Sequence, residues 1–246
     1  MYSEGEGVPQ DDIEAVRLFR VAAEEGHTMG QVNLGLMYEG GDGVPQDYVE
    51  AVRWCRLAAD QGNVDAQRNL GLMYYDGIGV SQDATEAARM LRLAASQGNY
   101  TAQYSLGLMY ANGTGIPKDV TEAARFYRLA ADQGLAEAQC NLGLMYGNGT
   151  GVPQDDTEAA RFFRLAADQE LAMGQVNVGL IYQGGTGVPK DDTEAARWFR
   201  LAANQELAAG QYNLGCMYYV GFGVPQDDAE AVRLITLACN QGFQSA

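Results

Sequence analysis

Stacked pairs of α-helices, in about seven copies of 36 residues, are the fold class this 246-residue sequence predicts. The first observation behind it is a period kept without insertion or deletion. Gly35, Gly71, Gly107, Gly143, Gly179 and Gly215 stand 36 apart, and so do Glu14, Glu50, Glu86, Glu122, Glu158, Glu194 and Glu230. The second is that every copy carries two helical patterns, divided by glycine and usually proline. The third is a complete unit from which the rest can be read, AQCNLGLMYGNGTGVPQDDTEAARFFRLAADQ from Ala138 to Gln169. Self-similarity at this spacing marks a stacked repeat architecture. One unit cannot bury its apolar face alone, so a single elongated repeat domain is expected over 1–246. Helix-pair repeats are expected at about 28–62, 64–98, 100–134, 136–170, 172–206 and 208–242, with a partial copy at 1–26. Met1 and Tyr2 align with Met37 and Tyr38, and Gln241 and Gly242 with Gln97 and Gly98, so both ends are expected to fall inside a repeat of a longer array.

The first helix of each pair, helix A, is predicted from about Val64 to Tyr75 in the second full copy. Ala66, Gln67, Leu70, Gly71 and Tyr74 recur there at helical spacing. Glycine inside a helix costs about 1 kcal/mol relative to alanine. Its recurrence at the Gly71 column predicts a helix crossing too close for a side chain. Helix A then ends in a glycine pair, Gly77 and Gly79 here, followed by an apolar residue and usually proline, which is turn chemistry. The G-x-G string is not a nucleotide fingerprint, because that needs a preceding strand and does not recur in every copy.

Helix B opens with an aspartate three residues before a glutamate, as in Asp47 and Glu50 or Asp155 and Glu158, the spacing of a capping box. Its body supplies small residues (Ala51, Ala58, Ala59) for close packing and large ones (Trp54, Phe162, Phe163, Trp198, Phe199) for the core. Helix B stops at a left-handed glycine, Gly26, Gly62, Gly98, Gly134 and Gly242. Glu170 and Glu206 stand at that position in two copies, and strained or altered turns are expected there.

Composition narrows the function. The net charge of -16 argues against a nucleic acid or an anionic membrane as partner, since either needs clustered cations. Thirteen of the sixteen cations form two columns, one beginning Arg17, Arg53, Arg89 and the other Arg20, Arg56, Arg92; only Arg68, Lys118 and Lys190 fall outside them. The first column follows the glutamate column by three residues, the spacing of helix ion pairs, and both columns read as a solvated ridge. No apolar run approaches the ~18 residues of a membrane span, and Met1 is followed by repeat sequence rather than a leader. Cys55, Cys140, Cys216 and Cys239 occupy four different repeat positions, which suits free thiols in a reducing, cytoplasmic compartment better than a disulfide framework. His27 is the only histidine, so a histidine triad or multi-histidine metal site is ruled out. The carboxylates recur as caps, and no catalytic residue, metal or cofactor is predicted.

On the strings AQxNLGxMY, GxGVP and DxxEAxRxxxLAAxQG, the chain resembles the Sel-1-like repeat (SLR) family over its whole length. That family is a relative of the tetratricopeptide repeats. The resemblance implies an α-solenoid, a superhelix of antiparallel helix pairs with the A helices on the concave side. It also implies an adaptor that holds other proteins together, often in bacteria. A cysteine-rich bacterial branch with disulfide-bonded repeats has been linked to β-lactam binding or hydrolysis, and this sequence lacks that cysteine pairing.

If Gln67, Leu70, Gly71 and Tyr74 face the core, the opposite face of helix A carries the columns of Asp65, Arg68, Asn69, Leu72 and Asp76. The Arg68 column varies (Val32, Arg68, Tyr104, Cys140, Val176, Tyr212), as an individual recognition surface on a common scaffold would. Asn33, Asn69, Asn141, Asn177 and Asn213 form a ladder broken by Ser105, either for a peptide backbone or for tying neighbouring helices. The stripe of Leu36, Leu72, Leu108, Leu144, Leu180 and Cys216 is either an exposed apolar patch or the packing of A helix on A helix. Tyr75, Tyr100, Tyr104, Tyr212 and Tyr219 are candidate aromatic anchors. The expected function is a non-catalytic scaffold gripping a protein or peptide segment. The alternative is a small-molecule or cell-wall-fragment binder, with or without hydrolytic activity, which would need a closed pocket with singular polar groups. A monomer, or weak end-to-end association through the terminal helices, is expected.

Overall fold

The computed structural model describes residues 11–243, and the chain divides into two compact units, Met1–Phe126 and Tyr127–Ala246. The first holds α1 (Asp12–Glu24), α2 (Thr28–Gly40), α3 (Tyr48–Asp60), α4 (Val64–Asp76), α5 (Ala84–Ser96) and α6 (Tyr100–Asn112). The division falls within α7 (Val120–Asp132). The second unit continues with α8 (Ala136–Asn148), α9 (Asp156–Asp168), α10 (Ala172–Gly184), α11 (Asp192–Asn204), α12 (Ala208–Val220) and α13 (Asp228–Asn240). The described residues form no strand. Even-numbered helices are the A helices and odd-numbered ones the B helices. The start of the partial copy at 1–26 lies outside the described residues up to position 10.

Glycine sets the distance between the helices of a pair. A methyl on Gly71 would sit 2.8 Å from Leu91 Cγ and 3.3 Å from the Ala87 carbonyl oxygen. One on Gly143 would meet the Phe163 ring at 2.7 Å, and one on Gly215 would meet Ile235 Cγ1 at 2.8 Å. The close crossing expected from the glycine column is therefore present, with alanines such as Ala51 and Ala58 buried completely on the B side.

Glycine also sets the distance between successive pairs. Gly79, at φ +68°, lies against the first turn of the preceding B helix, where a side chain would run into the Tyr48 carbonyl. Gly115 sits on Ala84, Gly187 on Asp156 and Gly223 on Asp192 in the same way.

Each helix B is capped by its aspartate. Asp47 Oδ1 accepts from the Val49 and Glu50 amides at 2.9 and 3.1 Å, and Asp155 Oδ1 from Thr157 and Glu158 at 3.0 Å each. The other half of the capping box is absent. The N–H of Asp47 donates to the Tyr38 carbonyl at 2.9 Å, and that of Asp155 to the Tyr146 carbonyl at 3.0 Å. Helix A thus satisfies the donor that a local glutamate would otherwise take. The glutamates turn to the arginines instead, with ion pairs of 2.5 to 3.1 Å along the whole first arginine column.

These pairs hold several glutamates below their ordinary range. Glu158 is lowered chiefly by its hydrogen bond from Arg161. A depressed folded value gives a contribution that is present above the ordinary glutamate value of 4.5 and lost as pH falls through the lowered one. Glu158→Gln is expected to destabilise by roughly 0.2–0.5 kcal/mol at neutral pH after solvent screening. Urea titrations should show wild type and variant converging in acid; a gap that persists there would remove the ion pair as its cause.

The second arginine column is not a simple solvated ridge. Arg56 Nη2 donates to Tyr74 Oη at 2.7 Å, Arg92 to Tyr110 at 3.1 Å and Arg200 to Tyr218 at 3.0 Å, so each B helix is tied to the A helix that follows. The tyrosine rings lie on B-helix phenylalanines, Tyr110 on Phe126 at 5.6 Å and Tyr146 on Phe162 at 5.9 Å.

A buried glutamine relay does the same work inside. Gln97 Nε2 donates to Gln67 Oε1 at 2.8 Å, and Gln67 Nε2 donates to the Ala59 carbonyl at 3.1 Å, linking α5, α4 and α3. Gln61 and Gln31 repeat it onto Ala23. In the second unit, Gln169 donates to Gln139 and Gln241 to Gln211. Gln67 is only 4% exposed, so these bonds satisfy amides that would be costly to bury unpaired.

Helix B ends in a paired-carbonyl turn, with Gly62 N–H donating to Ala59 and Asn63 N–H to Ala58 at 2.9 and 3.1 Å. Glu170 and Glu206 keep the left-handed backbone at φ +63° and +60°, against +86° at Gly62 and +92° at Gly98. A side chain there pulls φ towards the left-handed minimum and leaves strain of about 1–2 kcal/mol. The space around a methyl at Gly62 or Gly98 is open, so the strain is in the backbone alone. Glu170→Gly and Glu206→Gly are each expected to stabilise by about 0.5–1 kcal/mol, the backbone relief less the entropy of glycine. A lowered urea midpoint would contradict this.

Trp54 and Trp198 are each 4% exposed, and neither indole N–H has a partner. Phe126 and Phe162 occupy the same column without a donor to satisfy. Trp198→Phe is expected to cost less than about 1 kcal/mol, because lost packing is offset by removal of an unpaired donor. A calorimetric loss of the size of a core truncation would show that the indole does more than fill space.

Candidate functional site

The A-helix face opposite the core can be followed in each unit. In the first, Asn33, Arg68, Asn69, Leu72, Tyr104 and Leu108 are half-buried and Tyr75 is exposed. In the second, Asn141, Tyr212 and Asn213 are half-buried and Tyr219 is 63% exposed.

Three expected site residues are corrected. Val32 is 6% exposed and Val176 3%, so they do not line the open face, and Asn177, at 9%, reaches only the wall of a hollow in it. Their positions turn from the open face towards the next A helix. Val32 packs in one cluster with Ala66, Leu70 and Met73 of α4, and Val176 with Leu214 and Met217 of α12. Asn177 Nδ2 donates to Cys140 Sγ at 3.3 Å, so here the asparagine ladder ties neighbouring A helices together. Asn213 is likewise engaged, with the Ala209 carbonyl of its own helix at 2.9 Å. Tyr212 rests on the Phe243 ring at 5.2 Å, and Arg68 reaches Asp65 at 3.7 Å.

The leucine stripe is neither buried nor fully open. Leu36, Leu144 and Leu180 are each a little over two-fifths exposed, at 44%, 41% and 44%. Between Leu144 and Leu180 lies a hollow of about 190 Å³ whose lining includes Asn148, Asp156, Phe163, Asn177, Ile181 and Thr186. Leu144 and Leu180 belong to the leucine stripe whose exposure the sequence leaves open, Phe163 is expected from it only as core, and Ile181 and Asp156 carry no signal of their own in the sequence. The signal for the hollow is Gly147, which stands where other copies carry Tyr75 or Tyr219 and leaves the space open.

Larger hollows lie on the B-helix side. One of about 420 Å³ is lined by Val49, Val52, Arg53, Arg56, Leu57 and Val80. Another, of about 380 Å³, is lined by Arg200, Tyr218, Glu230 and Arg233, but these groups already pair with one another, Arg200 with Tyr218 and Glu230 with Arg233. They belong to the repeating columns and are not the singular polar groups a dedicated ligand site would need. A second leucine column, Leu57, Leu93, Leu129, Leu165, Leu201 and Leu237, is also half-exposed on helix B, a feature the sequence reading had missed.

The cysteines are free thiols. Burial pushes Cys55 up to about 11 and raises Cys140, so neither is an activated nucleophile. Among the described residues no cluster of histidine, cysteine, aspartate and glutamate could hold a metal ion, and no helix is long and apolar enough to cross a membrane.

A family model described as Sel1 repeat matches residues 1–27, 28–63, 64–99, 101–135, 136–171, 172–207 and 208–243. Among solved structures, the chain is similar to c5321, a protective antigen of uropathogenic Escherichia coli displaying an SLR fold. Identity is 36% and the TM-score 0.92, over 98% of this chain and 52% of that one. It is similar to a Sel1 repeat protein from Oxalobacter formigenes at 36% identity and a TM-score of 0.80, over 99% of this chain and 71% of that one. An immunity protein, Pa5087 of Pseudomonas aeruginosa, shares the fold alone, at 18% identity and a TM-score of 0.50 over 78% and 74% of the two chains. This chain thus spans about half the length of the E. coli antigen. A search of curated proteins gives no match.

Proposed function

The chain belongs to the Sel1 repeat family, whose members commonly serve as protein–protein interaction scaffolds, and from that premise we propose that it holds a segment of another protein on the surface of its A helices without catalysing a reaction. The observation that carries the reading is the leucine stripe. Leu36, Leu144 and Leu180 keep more than two-fifths of their surface in water. Apolar surface held open in register from copy to copy marks a contact face. The side chains beside it differ between copies, with Tyr75 and Tyr219 in two and Gly147 in another, and that variation would give one common surface an individual specificity. Backbone glycines, caps and glutamine relays hold this face from behind, so a partner would meet a preformed surface.

The small-molecule reading is weaker. The hollow on the A-helix face, at about 190 Å³, falls below the roughly 300–1,000 Å³ typical of such sites, and the polar groups of the two larger hollows, of about 420 and 380 Å³, include arginines of the repeating columns that are already paired.

Selection from a displayed peptide library tests the proposal, comparing the wild type with Leu144→Ser plus Leu180→Ser. Both leucines are half-exposed, so the variant is expected to fold. Enriched peptides should lose binding to the variant. Enrichment indifferent to these leucines, or abolished instead by Leu165→Ser plus Leu201→Ser on the B helices, would overturn the assignment of the face.

A further inference from the structure

We propose that the segment held on this face is cationic and seats one apolar side chain in the hollow between Leu144, Leu180 and Phe163. The inference rests on the scaffold reading above and adds the chemistry of the partner.

Charge is divided unequally between the two sides of the helix pairs. Thirteen of the sixteen lysines and arginines are on B helices, engaged with glutamates in the first column and mainly with tyrosine hydroxyls in the second. The described A helices carry one cation, Arg68, which reaches Asp65, against the carboxylates of Glu39, Asp65, Asp76 and Glu137. One rim of the A-helix face is formed by the ends of the B helices and the turns that follow. It holds Glu24, Glu25, Asp60, Asp168, Glu170 and Glu206 and no lysine or arginine of its own, although Arg164 reaches Asp168 at 3.3 Å and His27 lies 3.6 Å from Glu25. The opposite rim carries the exposed capping aspartates, including Asp47, Asp83, Asp155 and Asp191, against Lys118 and Lys190, and Lys190 already lies 3.5 Å from Asp192.

Within each unit, then, the face is apolar along its middle and negative along both rims. A surface of this kind draws in cations, repels acidic chains and fixes the register of what it binds. The hollow adds the anchor. Leu144, Phe163, Leu180 and Ile181 give it apolar walls, and Asn148, Asp156, Asn177 and Thr186 supply its polar lining. Its volume suits one aliphatic or aromatic side chain rather than a small-molecule ligand. Leucine, methionine or phenylalanine flanked by lysine or arginine is the pattern that fits.

The test uses the full chain and three synthetic peptides of one length, carrying the same leucines on a lysine, serine or glutamate background, with binding followed by fluorescence anisotropy. The lysine peptide is expected to bind at least about tenfold more tightly than the serine peptide, and the glutamate peptide not at all. That preference should shrink in high salt, and Leu180→Ser, checked by circular dichroism to be folded, should weaken the lysine peptide about tenfold or more. Equal binding of all three peptides, lost together on Leu180→Ser, would overturn the charge inference and leave the scaffold reading standing. Lysine-peptide binding that survives Leu180→Ser but fails with Leu165→Ser would overturn both. Binding of none of the three would overturn the cationic proposal, and enrichment in the unbiased library would then show whether the face binds a segment of other chemistry.

Discussion

Gly79→Ala is expected to cost about 3 kcal/mol or more of folding stability. The estimate adds about 1–2 kcal/mol for placing an alanine in the left-handed backbone to about 1–3 kcal/mol for the shift its methyl forces on the neighbouring chain. That neighbour is the carbonyl of Tyr48, part of the backbone of α3, which cannot rotate away as a side chain would. Gly77 is the control two residues earlier. Its φ of +73° is equally left-handed, but a methyl there meets only Gln82 Cβ at 3.2 Å and the Gln82 backbone beyond it. Gly77→Ala should therefore show chiefly the backbone cost, about 1–2 kcal/mol. Urea denaturation of the two variants separates the terms. Since stability in such an array is a sum of units and interfaces, Gly79→Ala should also broaden the transition by loosening one junction. Equal costs for the two variants would show that the approach to Tyr48 carries no energetic weight.

Phe199→Ala should cost about 3–5 kcal/mol, because Phe199 is completely buried in the core of the second unit and its removal leaves a cavity. Gly179→Ala alone is expected to cost about 1–3 kcal/mol, its methyl falling 2.5 Å from Phe199 Cε1. Together the two changes should cost less than their sum, since the ring that obstructs the methyl is gone and the methyl fills part of the space. Strict additivity in thermal or chemical denaturation would mean that α10 and α11 are spaced by something other than this contact.

These positions show why so much of the fold was legible in the sequence. A glycine that recurs inside a helix pays a known propensity cost, so Gly71 and Gly179 declared a close crossing before any partner was visible. Asp47 and Asp155 declared helix starts, because a short carboxylate accepts from the free amides of the first turn. What local spacing could not supply was the competitor. Glu50 is well placed to close a capping box, but the Asp47 amide goes to the carbonyl of Tyr38, nine positions earlier on another helix. The arginine column of Arg56 was misread in the same way, as Tyr74 lies eighteen residues ahead of it.

The candidate site was legible in part. Projecting helix A at 100° per residue put the column of Leu144 and Leu180 opposite the core but left open whether it is exposed or packed, and the structure leaves both leucines part-exposed. The projection also placed Val32 and Val176 on that face. Their burial depends on the neighbouring A helix, whose position the periodicity of a single helix does not contain. Phe163 belongs to helix B and lies against Gly143 of the A helix, a contact that the periodicity of one helix does not contain.

The glutamine relay has a direction. Gln97 gives its amide hydrogens to Gln67 and to the Gly62 carbonyl, and Gln67 gives its own to Ala59, so donors always lie later in the chain than their acceptors. The partners stand 30, 35 and 8 positions apart, offsets smaller than the repeat itself. A duplication or deletion of whole periods therefore recreates every bond at its new seam, whereas a change of any other length breaks those that span it. Array length becomes a quantity that inheritance can alter in fixed steps, and the reach of the partner-facing surface can be tuned without renegotiating how the protein folds.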